Sequence, residues 1–140
     1  MARVSTSYFL RALRLLTDLG HGDVLDAIIC QAIISANTGH LSQLHGSVPR
    51  PPPPAGLPRD DQRKPISILA LAESLGLPFE TTRRHVNRLI KSGACQRVKG
   101  GVIVPSSTLD TPKYAAATDL NLTYVQQLVR GLRRVGLDVD

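Results

Sequence analysis

Six basic side chains crowd between Phe79 and Gly101: Arg83, Arg84, Arg88, Lys91, Arg97 and Lys99, against one acid, Glu80. Thr81 and Asn87 stand among them. A guanidinium can bond guanine at two points, and a carboxamide can do the same with adenine. Lysine and arginine also bind phosphate oxygens, which fixes register without reading sequence. The chemistry on offer is therefore recognition of a polyanion. At helical spacing, Thr82, His85, Val86, Leu89 and Ile90 share one face, which is expected to pack inward. Glu80, Thr81, Arg83, Arg84, Asn87 and Arg88 fall on the outward face. That face fits a DNA major groove, which admits one α-helix. Glu80, Thr81, Arg83, Arg84 and Asn87 are the candidates for base contacts. Arg88 and Lys91 are candidates for phosphate, with Arg97 and Lys99 reaching the flanking backbone or minor groove.

Such residues need a rigid support. Ser67 is placed to cap a helix from about Ile68 to Leu75, and Gly76 to end it with a positive φ. Pro78 suits the first turn of the next helix, from about Phe79 to Ser92. Two short helices with a glycine turn have helix-turn-helix geometry. Cys95–Val98 and Val102–Val104 then read as hairpin arms, with Lys99-Gly100-Gly101 at the tip.

The stretch from Ala70 to Leu89, ALAESLGLPFETTRRHVNRL, resembles the helix-turn-helix of bacterial winged-helix regulators of the MarR, IclR and GntR groups. Ala72 matches the small residue between the two helices, and Gly76 the turn glycine four positions on. Leu75, Val86 and Leu89 match buried positions. Thr82 departs from the usual Val or Ile, yet has nearly the same shape, and its hydroxyl can bond a preceding carbonyl. The resemblance closely covers about 40 of the 140 residues. Flanking helices at this length are similar in layout to a MarR-type dimer, although the proline-rich insertion is not typical of that group. The resemblance implies a mainly α fold with a small β-hairpin wing, and a homodimeric transcriptional regulator of double-stranded DNA. A winged helix acting on a protein partner is the alternative.

The flanks read as helices. Residues 1–45 hold two: Ser5 to Leu19, amphipathic, and Asp23 to about Leu44, apolar nearly all round. The second is too apolar for a monomer's edge, which suggests a core and dimerisation role. Residues 46–64 form a linker, with Pro51–Pro54 in polyproline II. Residues 65–105 carry the motif. Residues 106–140 hold a C-terminal helix starting at Thr111-Pro112, with a kink or break expected between Thr118 and Asn121. Its stripe of Leu122, Val125, Val129 and Leu132 suits a dimer interface.

Composition agrees with this layout. Aromatics are 4% and Trp is absent, so Leu, Ile, Val and Ala must build the core. The net charge of +6 favours a polyanionic partner. Cys30 and Cys95 lie in apolar contexts outside any CxxC pair, as expected of two free thiols in a reducing cytoplasm. Cys30, His40 and His45 align only roughly on their helix, so neither a metal nor another cofactor is expected. No phosphate loop, GxSxG or HExxH is present, and an enzyme is not expected. No run is long enough for a transmembrane helix, and the Arg-rich first residues read as a folded helix rather than a transit peptide. Any effector would sit between the flanking helices and the motif.

Overall fold

The two short helices between Ser67 and Lys91 start and stop where the sequence predicts. The computed structural model describes residues 2–44 and 59–138. In chain order the elements are α1 (Ala2–Asp18), α2 (Val24–Leu44), α3 (Ile68–Leu75), α4 (Phe79–Lys91), β1 (Gln96–Val98), β2 (Gly101–Ile103), α5 (Ser106–Leu109) and α6 (Pro112–Arg134), with a 3-10 turn at Asp60–Gln62. Among the described residues the chain is mainly helical, with a small two-stranded antiparallel sheet. Ser67 Oγ accepts the Ala70 N–H at 3.1 Å and opens α3. Gly76 closes it at φ +67°, its N–H returning to the last carbonyls of the helix. Pro78 then precedes α4, and Thr82 Oγ1 donates to its carbonyl at 3.0 Å, the bond expected of that threonine.

β1 and β2 pair in the register Gln96 with Ile103, Arg97 with Val102 and Val98 with Gly101. The predicted tip included Gly101, but that glycine belongs to β2, and Lys99-Gly100 make the turn. Ile66 adds a bridge on the far side of β2: its N–H donates to Val102 O at 3.2 Å, and its carbonyl oxygen accepts the Val102 N–H at 2.9 Å. The residue just before α3 is thereby tied to the hairpin that follows α4.

α2 runs through the centre. Ala27, Ile29, Cys30 and Ile33 are buried, and the latter three cluster with Leu71, Val86, Leu89, Cys95, Val102 and Val104. Fully burying each larger side chain contributes roughly 1.5–3 kcal/mol. Within one copy α2 packs against α1, α3, α4 and β2, while Val24 at its start stays exposed. Midway along α2 the polar Asn37 is fully buried. Its Nδ2 donates to Lys64 O at 2.7 Å and Val102 O at 3.2 Å, while Oδ1 accepts the Val104 N–H at 2.9 Å. One carboxamide thus joins α2, the segment entering the motif, and the hairpin.

α6 is one continuous helix, without a break at Thr118–Asn121. The Thr118 and Thr123 hydroxyls donate to carbonyls four residues back, at Tyr114 and Asp119, so these threonines stay within the helix. Tyr8 of α1 also donates to Asn121 Oδ1 at 3.2 Å across the supposed break. α1 packs along α6, yet neither helix contains a fully buried residue. Asp60 Oδ1 accepts the Ser106 N–H at 2.8 Å. Pro51–Pro54, His45 and the side chain of His40 lie outside the described residues. No helix among the described residues is long and apolar enough to cross a membrane.

Candidate nucleic-acid interface

The two-sidedness of α4 sets the candidate surface. Thr82, His85, Val86 and Leu89 are buried, while Glu80, Arg83, Arg84, Arg88 and Lys91 are exposed and Thr81 and Asn87 half-buried. The inward face agrees with the sequence reading, except that Ile90 is only half-buried. α3 supports α4 through the buried Leu71 and Ala72.

The outward residues are organised among themselves. Glu80 grips Arg83 at two points: both carboxylate oxygens accept from Nε at 3.1 Å, and Oε2 also accepts from Nη2 at 2.9 Å. This bond holds the Glu80 carboxyl below its ordinary range and raises the Arg83 value. The pair is exposed, so its main effect is to orient the guanidinium. On the neighbouring turn, Arg97 Nη2 donates to Asn87 Oδ1 at 3.2 Å. That bond links the hairpin to the helix and brings two predicted site residues together. Lys99 is exposed at the hairpin turn.

Arg88 has a different placement. Its Nη2 donates to Asp26, and approaches Asp23 Oδ2 at 3.4 Å. The charge assigned to phosphate from the sequence is committed to the start of α2. His85 joins the same cluster, with Nδ1 2.6 Å from Asp26 Oδ1. Asp26 is 1% exposed and His85 7%. Asp23 and Asp26 also cap α2 reciprocally: Asp26 N–H donates to Asp23 Oδ1 at 2.8 Å, and Asp23 N–H to Asp26 Oδ2 at 3.1 Å. The Asp26 backbone N–H is the main cause holding the Asp23 carboxyl below its ordinary value. Gly22, at φ +111°, completes the corner, because a Cβ there would overlap the Asp26 carboxylate. The cap of one helix thus doubles as the dock for α4.

One ligand atom each from His85, Asp23 and Asp26 lies within 4.8 Å of the others, a spacing that suits a divalent ion. The Arg88 guanidinium already meets both carboxylates. Sequence reasoning left this cluster unassembled, because Asp26 lies 59 residues from His85 and 62 from Arg88. The available signal was Asp26 itself, an acid inside an otherwise apolar stretch, three residues after a capping aspartate.

With Arg83 on Glu80 and Arg88 on α2, the remaining outward charges are Arg84, Lys91, Arg97 and Lys99. Searches with this chain match no family model, no curated protein and no solved structure.

Proposed function

We propose that this chain binds double-stranded DNA sequence-specifically through a winged helix-turn-helix, as a homodimeric transcriptional regulator. The observation that carries the reading is the division of α4: an inward face locked by Thr82, His85, Val86 and Leu89, and an outward face of Arg83, Arg84 and Asn87 beside the basic hairpin. The order α3, glycine turn, α4, β1, β2 agrees with the resemblance drawn from residues 70–89. In this reading Arg84 and Asn87 contact base edges, with Thr81 and the Glu80-held Arg83 beside them at the helix start. Lys91, Arg97 and Lys99 meet the phosphate backbone. Arg88 serves structure rather than phosphate.

The homodimer is carried by α1 and α6. Two helices totalling 40 residues bury nothing completely, and leave Phe9, Leu10, Leu120 and Leu122 exposed. Amphipathic helices gain their stability by covering their apolar stripes. A second copy on this face would hold two recognition helices about 34 Å apart, one turn of duplex.

In vitro selection from a random duplex pool tests the function. The expected result is a two-fold symmetric site, with Arg84→Ala costing about 1–3 kcal/mol on it and relaxing one base position. A pool that yields no enriched sequence would sink the proposal. The exposed Leu69 and Phe79, at 56% and 45%, favour the second reading, a protein partner docking on the same motif. Affinity for that partner would survive Arg84→Ala and fail with Phe79→Ser.

A further inference from the structure

The outward face of α4 carries three side chains that can accept a hydrogen bond: Glu80, Thr81 and Asn87. Two of them are already engaged. Both Glu80 carboxylate oxygens accept from Arg83. Asn87 Oδ1 accepts from Arg97 Nη2 at 3.2 Å, across the boundary between helix and hairpin. A guanidinium has donors and no acceptor, so only the oxygen end of the Asn87 carboxamide can face it. The Nδ2 end, with its two N–H groups, is left to meet a ligand. The backbone of each partner is held by the core. Asn87 follows the fully buried Val86 on α4. Arg97 pairs in register with Val102, which is 1% exposed and is bonded in turn by Ile66 and Asn37.

We propose that this bond sets base specificity: Asn87, positioned by Arg97, reads guanine rather than adenine. The inference rests on the DNA-binding reading above and deepens it. To read adenine at two points, a carboxamide needs its oxygen for the N6 amino group and its nitrogen for N7. Here the oxygen is taken, and the adenine amino group would meet only the N–H donors of Asn87 and Arg97. Guanine presents acceptors at both N7 and O6, and thymine a single acceptor beside its methyl group. An edge that only accepts is the better match to a pair that only donates. Arg97 acts through Asn87 and is a positioning residue for the base contact, while its other nitrogens still reach phosphate. The same logic holds for Glu80. Its carboxylate would have to accept from the cytosine amino group to select that base, but it is held by Arg83. Glu80 therefore orients an arginine instead of choosing cytosine.

The test is selection from a random duplex pool with the full-length protein and its Asn87→Ala, Arg97→Ala and Arg97→Lys variants, each with an unchanged circular dichroism spectrum. The wild type is expected to enrich a guanine at a position that Asn87→Ala relaxes. Arg97→Ala frees the carboxamide oxygen, and is expected to shift that position toward adenine on the order of tenfold, with the other positions unchanged. Arg97→Lys restores a donor and is expected to bring guanine back. Loss of a phosphate contact alone would weaken all sequences about equally and move no base preference. A wild-type adenine at the Asn87 position would overturn the proposal. So would an Arg97→Ala site that keeps its guanine. The contact itself is read without DNA. In isotope-labelled protein the Asn87 side-chain amide signal, identified by its loss in Asn87→Ala, is expected to move in Arg97→Ala and to return with Arg97→Lys. An unmoved signal would overturn the positioning role even where DNA binding stands. A signal that moves, with no sequence enriched by the wild type, would instead sink the DNA-binding reading and the base assignment with it.

Discussion

Replacing Asn37 with alanine should unfold this protein at much lower denaturant, and the structure fixes the size of the effect. The side chain is fully buried and makes three hydrogen bonds. Their loss has unequal consequences. Val102 O keeps the Ile66 N–H as a partner. Lys64 is exposed, so its carbonyl can turn to water. The Val104 N–H cannot, because Val104 is 0% exposed. Leaving that donor unpaired costs about 1–3 kcal/mol, and the other two bonds contribute roughly 1 kcal/mol each. The sum is about 3–4 kcal/mol after partial relaxation, a large share of the roughly 5–15 kcal/mol that holds a domain together. Asn37→Asp should be no better, since it keeps the acceptor but turns a carboxylate oxygen toward two carbonyls. Urea unfolding followed by circular dichroism measures the change, with the exposed Ser35→Ala on the same helix as control, expected to move stability by less than about 0.5 kcal/mol. A loss below about 1 kcal/mol for Asn37→Ala would refute the view that this carboxamide joins α2 to the hairpin.

Gly101→Ala should destabilise more than substitution at most surface positions, by roughly 3 kcal/mol, because φ is +146° and a Cβ would overlap the Ile66 carbonyl; thermal unfolding checks it. Arg88→Ala should lower the melting temperature while leaving the salt dependence of DNA binding nearly unchanged, since its charge is committed to Asp26 and Asp23; a shallower salt slope would return Arg88 to the phosphate contacts. Acid should weaken the fold in two windows, read as urea midpoint against pH. Below about 6.5 the unfolded chain protonates His21 while the folded state, its value lowered by burial, resists, so stability falls until the folded value is passed. The Asp23 contribution is present above its ordinary value of 3.8 and is lost as pH falls through the lower folded value. His21→Gln should remove only the upper window.

What the sequence revealed was local, and what it hid was pairing at a distance. Ser67, Gly76 and Pro78 act on their immediate backbone, so the limits of α3 and α4 could be read directly. The phase of Thr82, His85, Val86 and Leu89 likewise follows from helical spacing. The partner of His85 could not be read, because Asp26 is brought to it only by packing α2 against α4. Nor does the apolar run of α2 show which elements cover it; in the fold it packs against α1, α3, α4 and β2. At Thr118–Asn121, residues of modest helix propensity suggested a break, but hydroxyl bonds and the support of α1 keep α6 whole. Among the candidate site residues, Arg84, Lys91, Arg97 and Lys99 remain outward as expected. The meeting of Arg88 with Asp23 and Asp26 could not be read, because its helix face alone does not show which carboxylates lie beside it.

The salt dependence of binding to random-sequence duplex DNA tests the central claim most directly. Each phosphate neutralised contributes about 0.9 to the slope of log affinity against log salt. The three charges assigned to phosphate, Lys91, Arg97 and Lys99, therefore predict a slope of about −3 for one copy, and about twice that for a two-fold dimer. Removing Lys91 or Lys99 should each lower the magnitude by about 1 per copy. No binding at low salt, or a slope that ignores these substitutions, would contradict the assignment of this surface to DNA.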